Sequence, residues 1–258
     1  MQRLDAPTTL IIGANGRLGT AFRRTWPQAS PVTREVLDIT DEAATRAYIM
    51  RARPTVILNC AALTDQRTCE RNPDRARSIN VDGVRHLRAA ADAVEATLVH
   101  FSCDRAANPV NVYGRTKLES EPLGHLTIRA RIYDGSHPVW SALSRQESLG
   151  LSIKHWMNPI STTSLVTITF GLLNRSARGL IEVGTRYRLS EYEVGRVWAS
   201  VLGTNPELIT PVQRAKTDSL PTADSVMSTL GVSRHNIYIP TLEEDAALHR
   251  SWYIMNRD

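Results

Sequence analysis

The chain is poor in cysteine, in lysine and in long apolar runs, and each shortage closes off a class of protein. Its three cysteines, Cys60, Cys69 and Cys103, are an odd set without CxxC spacing, which argues against a disulfide scaffold and a zinc site. No apolar run approaches the roughly 20 residues that a membrane span needs, so no membrane partner is expected. The early run "TTLII" leads straight into a glycine loop rather than a signal-peptide cleavage site, so a cytoplasmic protein is expected. Only three lysines, Lys117, Lys154 and Lys216, stand against 28 arginines. The net charge of +5 raises the question of nucleic acid. The arginines, however, are scattered singly among acidic residues, with no basic tract, which reads as a solvated surface without a nucleic-acid partner. The histidines, His100, His125, His137 and His155 among them, form no HxxxH or HExxH pattern and read as core or surface. GxSxG and Walker loops are absent too.

What is present is a chain of 258 residues, 42% hydrophobic and 22% charged, enough for one large domain or a domain with a small lobe. Apolar runs at 8–14, 54–62, 97–103 and 126–133 predict strands. Helical patterns over 17–26 and 82–96, the second with Asp82 placed as its cap, separate them. Weaker strand and helix signals lie at 30–34 and 41–52. That alternation predicts βαβ units and a parallel sheet. Beyond residue 134 the pattern is less regular, with helices predicted over 163–176 and 190–203 and a strand over 179–184. Ser190 and Glu193 have the spacing of a capping box.

Two motifs carry chemistry. "GANGRLG" follows the first strand and opens a helix. Gly13 permits a tight turn, Gly16 lets backbone approach a pyrophosphate, and Gly19 lets helix and strand pack closely. The helix N-terminus then offers amide groups to phosphate, so a dinucleotide is expected. After the second strand, "TREVLDIT" presents Arg34 where NAD enzymes place a carboxylate. An arginine suits a 2′-phosphate, so NADPH is favoured, with NADH left open by Glu35. The second motif is Tyr113 with Lys117 in "NVYGRTKLESE". Residues four apart share a helix face, and an ammonium beside a phenol favours the phenolate. The tyrosine could then exchange a proton with a carbonyl oxygen. Ser102, at the end of the preceding strand, is placed to add a hydroxyl.

"GANGRLG", "LDIT", "VILNCAALTD", "SINVDGVRHL", "LVHFSCD" and "NVYGRTKLESE" together resemble the extended short-chain dehydrogenase/reductase family, and more closely its dTDP-4-dehydrorhamnose reductase branch. The resemblance is strong over about the first 135 residues and fainter in "SEYEVGRVWASVLG" and in 219–233. It implies a Rossmann-like, doubly wound α/β fold: a cofactor-binding domain over 1–134 and a smaller C-terminal substrate-binding lobe over 135–258. It also implies roles. Gly13, Asn15, Gly16, Arg17, Leu18 and Gly19 would hold the pyrophosphate, and Asp38 and Ile39 would lie by the adenine. Cys60, Ala61 and Ala62 would line the path beneath the nicotinamide ribose, with Thr64 nearby. Asn80 would brace the site. Tyr113 would donate the proton, Lys117 would bind the ribose and tune the tyrosine, and hydride would reach the C4 ketone of a nucleotide-linked 6-deoxyhexose.

Three departures stand out. Cys103 occupies the place of the branch's catalytic threonine, and a thiol is a weak donor, so Ser102 and Cys103 are both candidates there. The loop between Cys103 and the tyrosine helix is short. Ile132 replaces a substrate-contacting tryptophan, leaving Arg131 and Tyr133 as polar neighbours, while Trp140 and Trp156 could shape a pocket or fill the core. The expected partner is a nucleotide sugar, with a homodimer left open. The alternatives are a non-catalytic, cofactor-binding subunit and a sugar-nucleotide epimerase or dehydratase. The last is disfavoured because "CDR" supplies Asp104 but no second carboxylate.

Overall fold

The computed structural model describes residues 9–213 and 226–255. Lys216, Thr8 and the 219–225 part of the fainter resemblance lie outside them. The described chain divides into two units, one running to Arg129 with 173–181 added, the other comprising Ala130–Leu172 and the residues from Glu182 onward.

In the first unit, short apolar strands alternate with helices in the expected way. They are β1 (Thr9–Ile12), α1 (Arg17–Thr25), β2 (Ser30–Val32), α2 (Glu42–Ala52), β3 (Val56–Asn59), α3 (Gln66–Arg71), α4 (Pro73–Arg77), α5 (Gly83–Ala93), β4 (Thr97–Cys103), α6 (Val112–Ser120) and β5 (Leu126–Ala130). A six-stranded sheet has the order Gly179–Val183, β5, β4, β3, β1, β2. The pairs β1–β2, β1–β3 and β3–β4 are parallel. The chain leaves β1 first for β2 on one side and then for β3 on the other. This reversal opens a crevice at the strands' carboxyl ends, where such folds bind ligands. Leu10, Ile12, Ile57 and Leu98 of the strands pack on Ile49 of α2 and on Val84 and Leu87 of α5, because strands covered on both faces must be apolar throughout.

Side chains fix the helix starts. Asp41 accepts from Ala44 N–H and Asn111 from Gly114 N–H, capping α2 and α6. Asp82 is not the cap that the pattern suggested. The helical path begins at Pro73 and passes through one wide π-turn, Ser78–Asp82, into α5, so Asp82 is interior and pairs with Arg85 instead. The predicted strand over 126–133 breaks at Arg131: β5 stays in the main sheet, whereas Ile132–Tyr133 pairs in parallel with Ile160–Ser161.

The second unit has its own core, in which Tyr133, Trp140 and Trp198 meet Leu143, Met157 and Leu242. Trp140 is therefore core. Tyr133 is fully buried and its hydroxyl donates to Asp245, so it offers nothing to a ligand. Trp156 is half-buried under the Arg188 guanidinium. The capping box forms as read: Ser190 accepts from Glu193 N–H, and the Glu193 carboxylate accepts from Ser190 N–H. Among the described residues, no helix is long and apolar enough to cross a membrane.

Candidate active site

A cleft of about 270 Å³ opens in the first unit over the carboxyl ends of β1 and β3. It is lined by the glycine loop, the segment after β2 and the segment after β3. Its walls include Gly13, Asn15, Gly16, Arg34, Asp38, Ile39, Cys60, Ala61 and Ala62. Thr64 lies exposed outside the lining, and its neighbour Leu63 lines the cleft instead. Leu18 and Gly19 are buried at the start of α1, and Arg17 is exposed there. Arg75 and Ile79 also line the cleft. Sequence reading passed over them, although their spacing of four on one helical path is the signal that could have found them.

The loop is built for close approach. A Cβ at Gly13, whose φ is +75°, would lie 2.6 Å from Ala61 N, and one at Gly19 would lie 2.3 Å from Gly13 O. Gly16 caps α1 without a side-chain hydrogen bond, and the first turn carries no acidic residue. The opening amides and their partial positive charge are thus offered to an anion. These features fit a dinucleotide pyrophosphate. Arg34 reaches Asp38 Oδ2 through Nε at 3.2 Å and NH2 at 3.0 Å. Asp38 Oδ1 accepts from Thr40 N–H and its hydroxyl, and these bonds together with Arg34 hold the carboxyl below its usual range.

Tyr113 and Lys117 lie one turn apart on α6, and the immediate partners of the two side chains differ. The half-buried Tyr113 phenol lies beside the Cys103 thiol. Burial, with Cys103, Asp104 and Cys69 around it, pushes the phenol well above its ordinary value. Cys103 itself is raised to about 11, by burial and then by Asp104, and burial pushes the Cys60 thiol up as well. Lys117, only 2% exposed, points at His100: Nζ lies 3.3 Å from Nε2. Burial lowers its amine to about 8, against the opposing pull of Cys103, Glu121 and Cys60.

Ser102 does not fill the threonine's place. It is 3% exposed and donates to Glu121 Oε1 at 2.7 Å. Glu121 is in turn gripped by Arg129 through Nε at 2.8 Å and NH2 at 2.6 Å. Along a strand, alternate residues face one way, so His100 and Ser102 both meet the end of α6. Cys103 is left to meet the tyrosine. Asn80 sits in the π-turn, where Oδ1 accepts from Leu63 N–H at 2.8 Å and Nδ2 donates to Leu63 O and to Thr116 Oγ1. It ties the loop after β3 to α6, and a π-turn is a common device for re-aiming one side chain.

The model of the family described as "RmlD substrate binding domain" matches residues 7–247. The chain belongs to this family. Proteins similar to it include a dTDP-4-keto-6-deoxy-D-glucose reductase of Streptomyces niveus. That relative is 29% identical over 234 residues, spanning 79% of this chain and 81% of the relative. Among solved structures, a dTDP-4-dehydrorhamnose reductase of Clostridium acetobutylicum superimposes with a TM-score of 0.85 at 25% identity, over 96% of this chain and 99% of that one. The Bacillus anthracis enzyme of the same name, solved with NADP, also gives 0.85, at 22% identity over 95% and 98%. The fold of this RmlD-family chain is thus the Rossmann-like α/β fold with a central parallel sheet.

Proposed function

We propose that this protein is an NADPH-dependent ketoreductase acting on the C4 ketone of a nucleotide-linked 6-deoxyhexose. The observation that carries the reading is the placing of Tyr113 and Lys117 on α6 beside Cys103 at the end of β4, in the same unit as a glycine cleft that fits a dinucleotide. When bound, NADPH supplies hydride to the carbonyl carbon. The glycine loop and the start of α1 would hold its pyrophosphate, Arg34 its 2′-phosphate, and Asp38 and Ile39 would lie by its adenine. Tyr113 gives the proton: as the C–H bond forms and the C=O π bond breaks, the oxygen takes the phenolic hydrogen. The products are the alcohol and NADP⁺, and solvent returns the proton to the tyrosine. Tyr113 is protonated at neutral pH, as a donor must be, but a phenol raised this far gives up its proton reluctantly, so the reading requires bound cofactor and substrate to bring it down. Cys103 contributes a weak hydrogen bond, and Asn80 keeps α6 at its distance from the loop.

A second reading, a cofactor-binding subunit without turnover, is favoured by one observation. Burial and the neighbouring Cys103 hold the resting Tyr113 phenol well above its ordinary value, which disfavours proton transfer. The two are separated by NADPH oxidation with dTDP-4-keto-6-deoxyglucose in wild type and Tyr113→Phe. The reductase reading expects wild-type turnover and a loss of about 100-fold or more in the variant, the usual scale for a proton donor, with NADPH affinity retained. Tight NADPH binding with no turnover in either protein supports the subunit.

A further inference from the structure

Lys117 is surrounded by groups that pull its charge in opposite directions, and only one of them touches Nζ with a defined hydrogen. The carboxylate of Glu121 after α6 favours the ammonium, whereas Cys103 at the end of β4 and Cys60 after β3 would do so only as thiolates, which their burial opposes. Facing them is His100 of β4, fully buried, with Nε2 at 3.3 Å from Nζ. Two contacts on opposite sides of the ring are consistent with one placement of the His100 proton. Ser120 has one hydroxyl hydrogen; with it on Lys117 O at 2.9 Å, the 3.0 Å contact with Nε2 is a bond that Nε2–H donates. On the other side, Asn59 Oδ1 accepts from Ala61 N–H, so its Nδ2 donates to His100 Nδ1 at 3.3 Å. Both leave the hydrogen on Nε2. Burial and Lys117 also keep the imidazole uncharged.

We infer that His100 is a positioning residue that sets the charge state of Lys117: its Nε2–H, shared between Ser120 Oγ and Nζ, accommodates the amine and opposes the ammonium. An amine can accept that hydrogen, whereas an ammonium has three donors and no acceptor. A buried imidazole aimed through its acceptor nitrogen would have done the reverse. Lys117 therefore switches charge near neutral pH because of its neighbour's tautomer as well as its burial, and the site responds to pH through the lysine. The kinetic consequence rests on the reductase reading; the charge state itself does not.

The test is an NMR pH titration of the whole protein labelled with ¹³C-lysine. Only three lysines are present, so Lys154→Arg and Lys216→Arg leave Lys117 as the single signal. Lys117 should titrate near pH 8, where an ordinary lysine titrates near 10.4. His100→Gln offers a carbonyl acceptor and should raise the midpoint by about one unit. Ser120→Ala releases Nε2–H wholly to Nζ and should lower it. These opposite signs are not what general loosening of the core produces, and Ser120→Ala remains informative if His100→Gln fails to fold. An ordinary midpoint in wild type, or the same direction of change in both variants, overturns the proposal. In NADPH oxidation, the alkaline limb of the pH profile should move upward in His100→Gln. A protein without turnover leaves the titration intact and counts against the reductase reading alone.

Discussion

At the scale of single residues, the site turns on what stands beside the tyrosine. The spacing of Tyr113 and Lys117 was legible in the sequence; their immediate partners were not, because these come from β4, with His100 beside the amine and Cys103 beside the hydroxyl. Ser102 was legible only as a hydroxyl near a strand end. That Glu121 would claim it follows from the buried Arg129–Glu121 pair, which needs further donors to satisfy its carboxylate in the interior. Cys103 is thus the strand-end group at the tyrosine. With its thiol raised to about 11, it stays neutral through the working pH range and gives rate profiles no inflection below about pH 10. As a weak donor it holds a carbonyl poorly. Cys103→Thr places a hydroxyl there, and kcat/KM for the keto sugar should rise about 10-fold, worth about 1.4 kcal/mol. A fall in kcat/KM with unchanged NADPH affinity, read from steady-state kinetics and fluorescence titration, would show that the thiol is matched to this site.

At the scale of elements, the glycine loop and the π-turn share the work of shaping the cleft. The strands and the helices that flank them were legible because apolar runs of four to seven residues and capping side chains act locally. The π-turn was not legible, since it exists to let Asn80 reach Leu63 and Thr116, contacts 17 and 36 residues away. The same distance effect hid the membership of Gly179–Val183 in the main sheet. The loop glycines divide by what surrounds them. At Gly13 an added Cβ meets backbone at 2.6 Å in a positive-φ residue, so Gly13→Ala should cost several kcal/mol and unfold much of the protein. At Gly16 the nearest atom is Gly13 O at 3.3 Å and φ is −70°. Gly16→Ala should therefore keep a melting temperature within a few degrees of wild type and yet weaken NADPH binding about 10-fold or more, because its Cβ stands where the pyrophosphate must approach. Calorimetry and fluorescence titration on both variants check the pair; equal loss of stability in the two would contradict the division.

At the scale of the whole molecule, the arginine surplus and the net charge of +5 suit an anionic ligand, but a diffuse field cannot tell NADPH from NADH. That choice falls to Arg34. Its ion pair with Asp38 is exposed on both sides, 62% and 40%, and such pairs contribute about 0–1 kcal/mol. Turning the guanidinium toward a 2′-phosphate therefore costs little and gains a charge-assisted contact. Binding to the native state alone raises stability by RT ln(1 + [L]/Kd), about 2.7 kcal/mol at 100-fold excess over Kd. For a chain of 258 residues each kcal/mol moves the melting temperature by about 2–4 °C. Saturating NADPH should thus raise it by about 5–10 °C, and equal NADH by less. Arg34→Ala should leave the unliganded melting temperature within a degree or two, abolish most of the NADPH advantage and spare the NADH shift. Scanning calorimetry with each nucleotide checks this. An Arg34→Ala protein that still prefers NADPH would move the 2′-phosphate contact to Arg75, the other arginine lining the cleft.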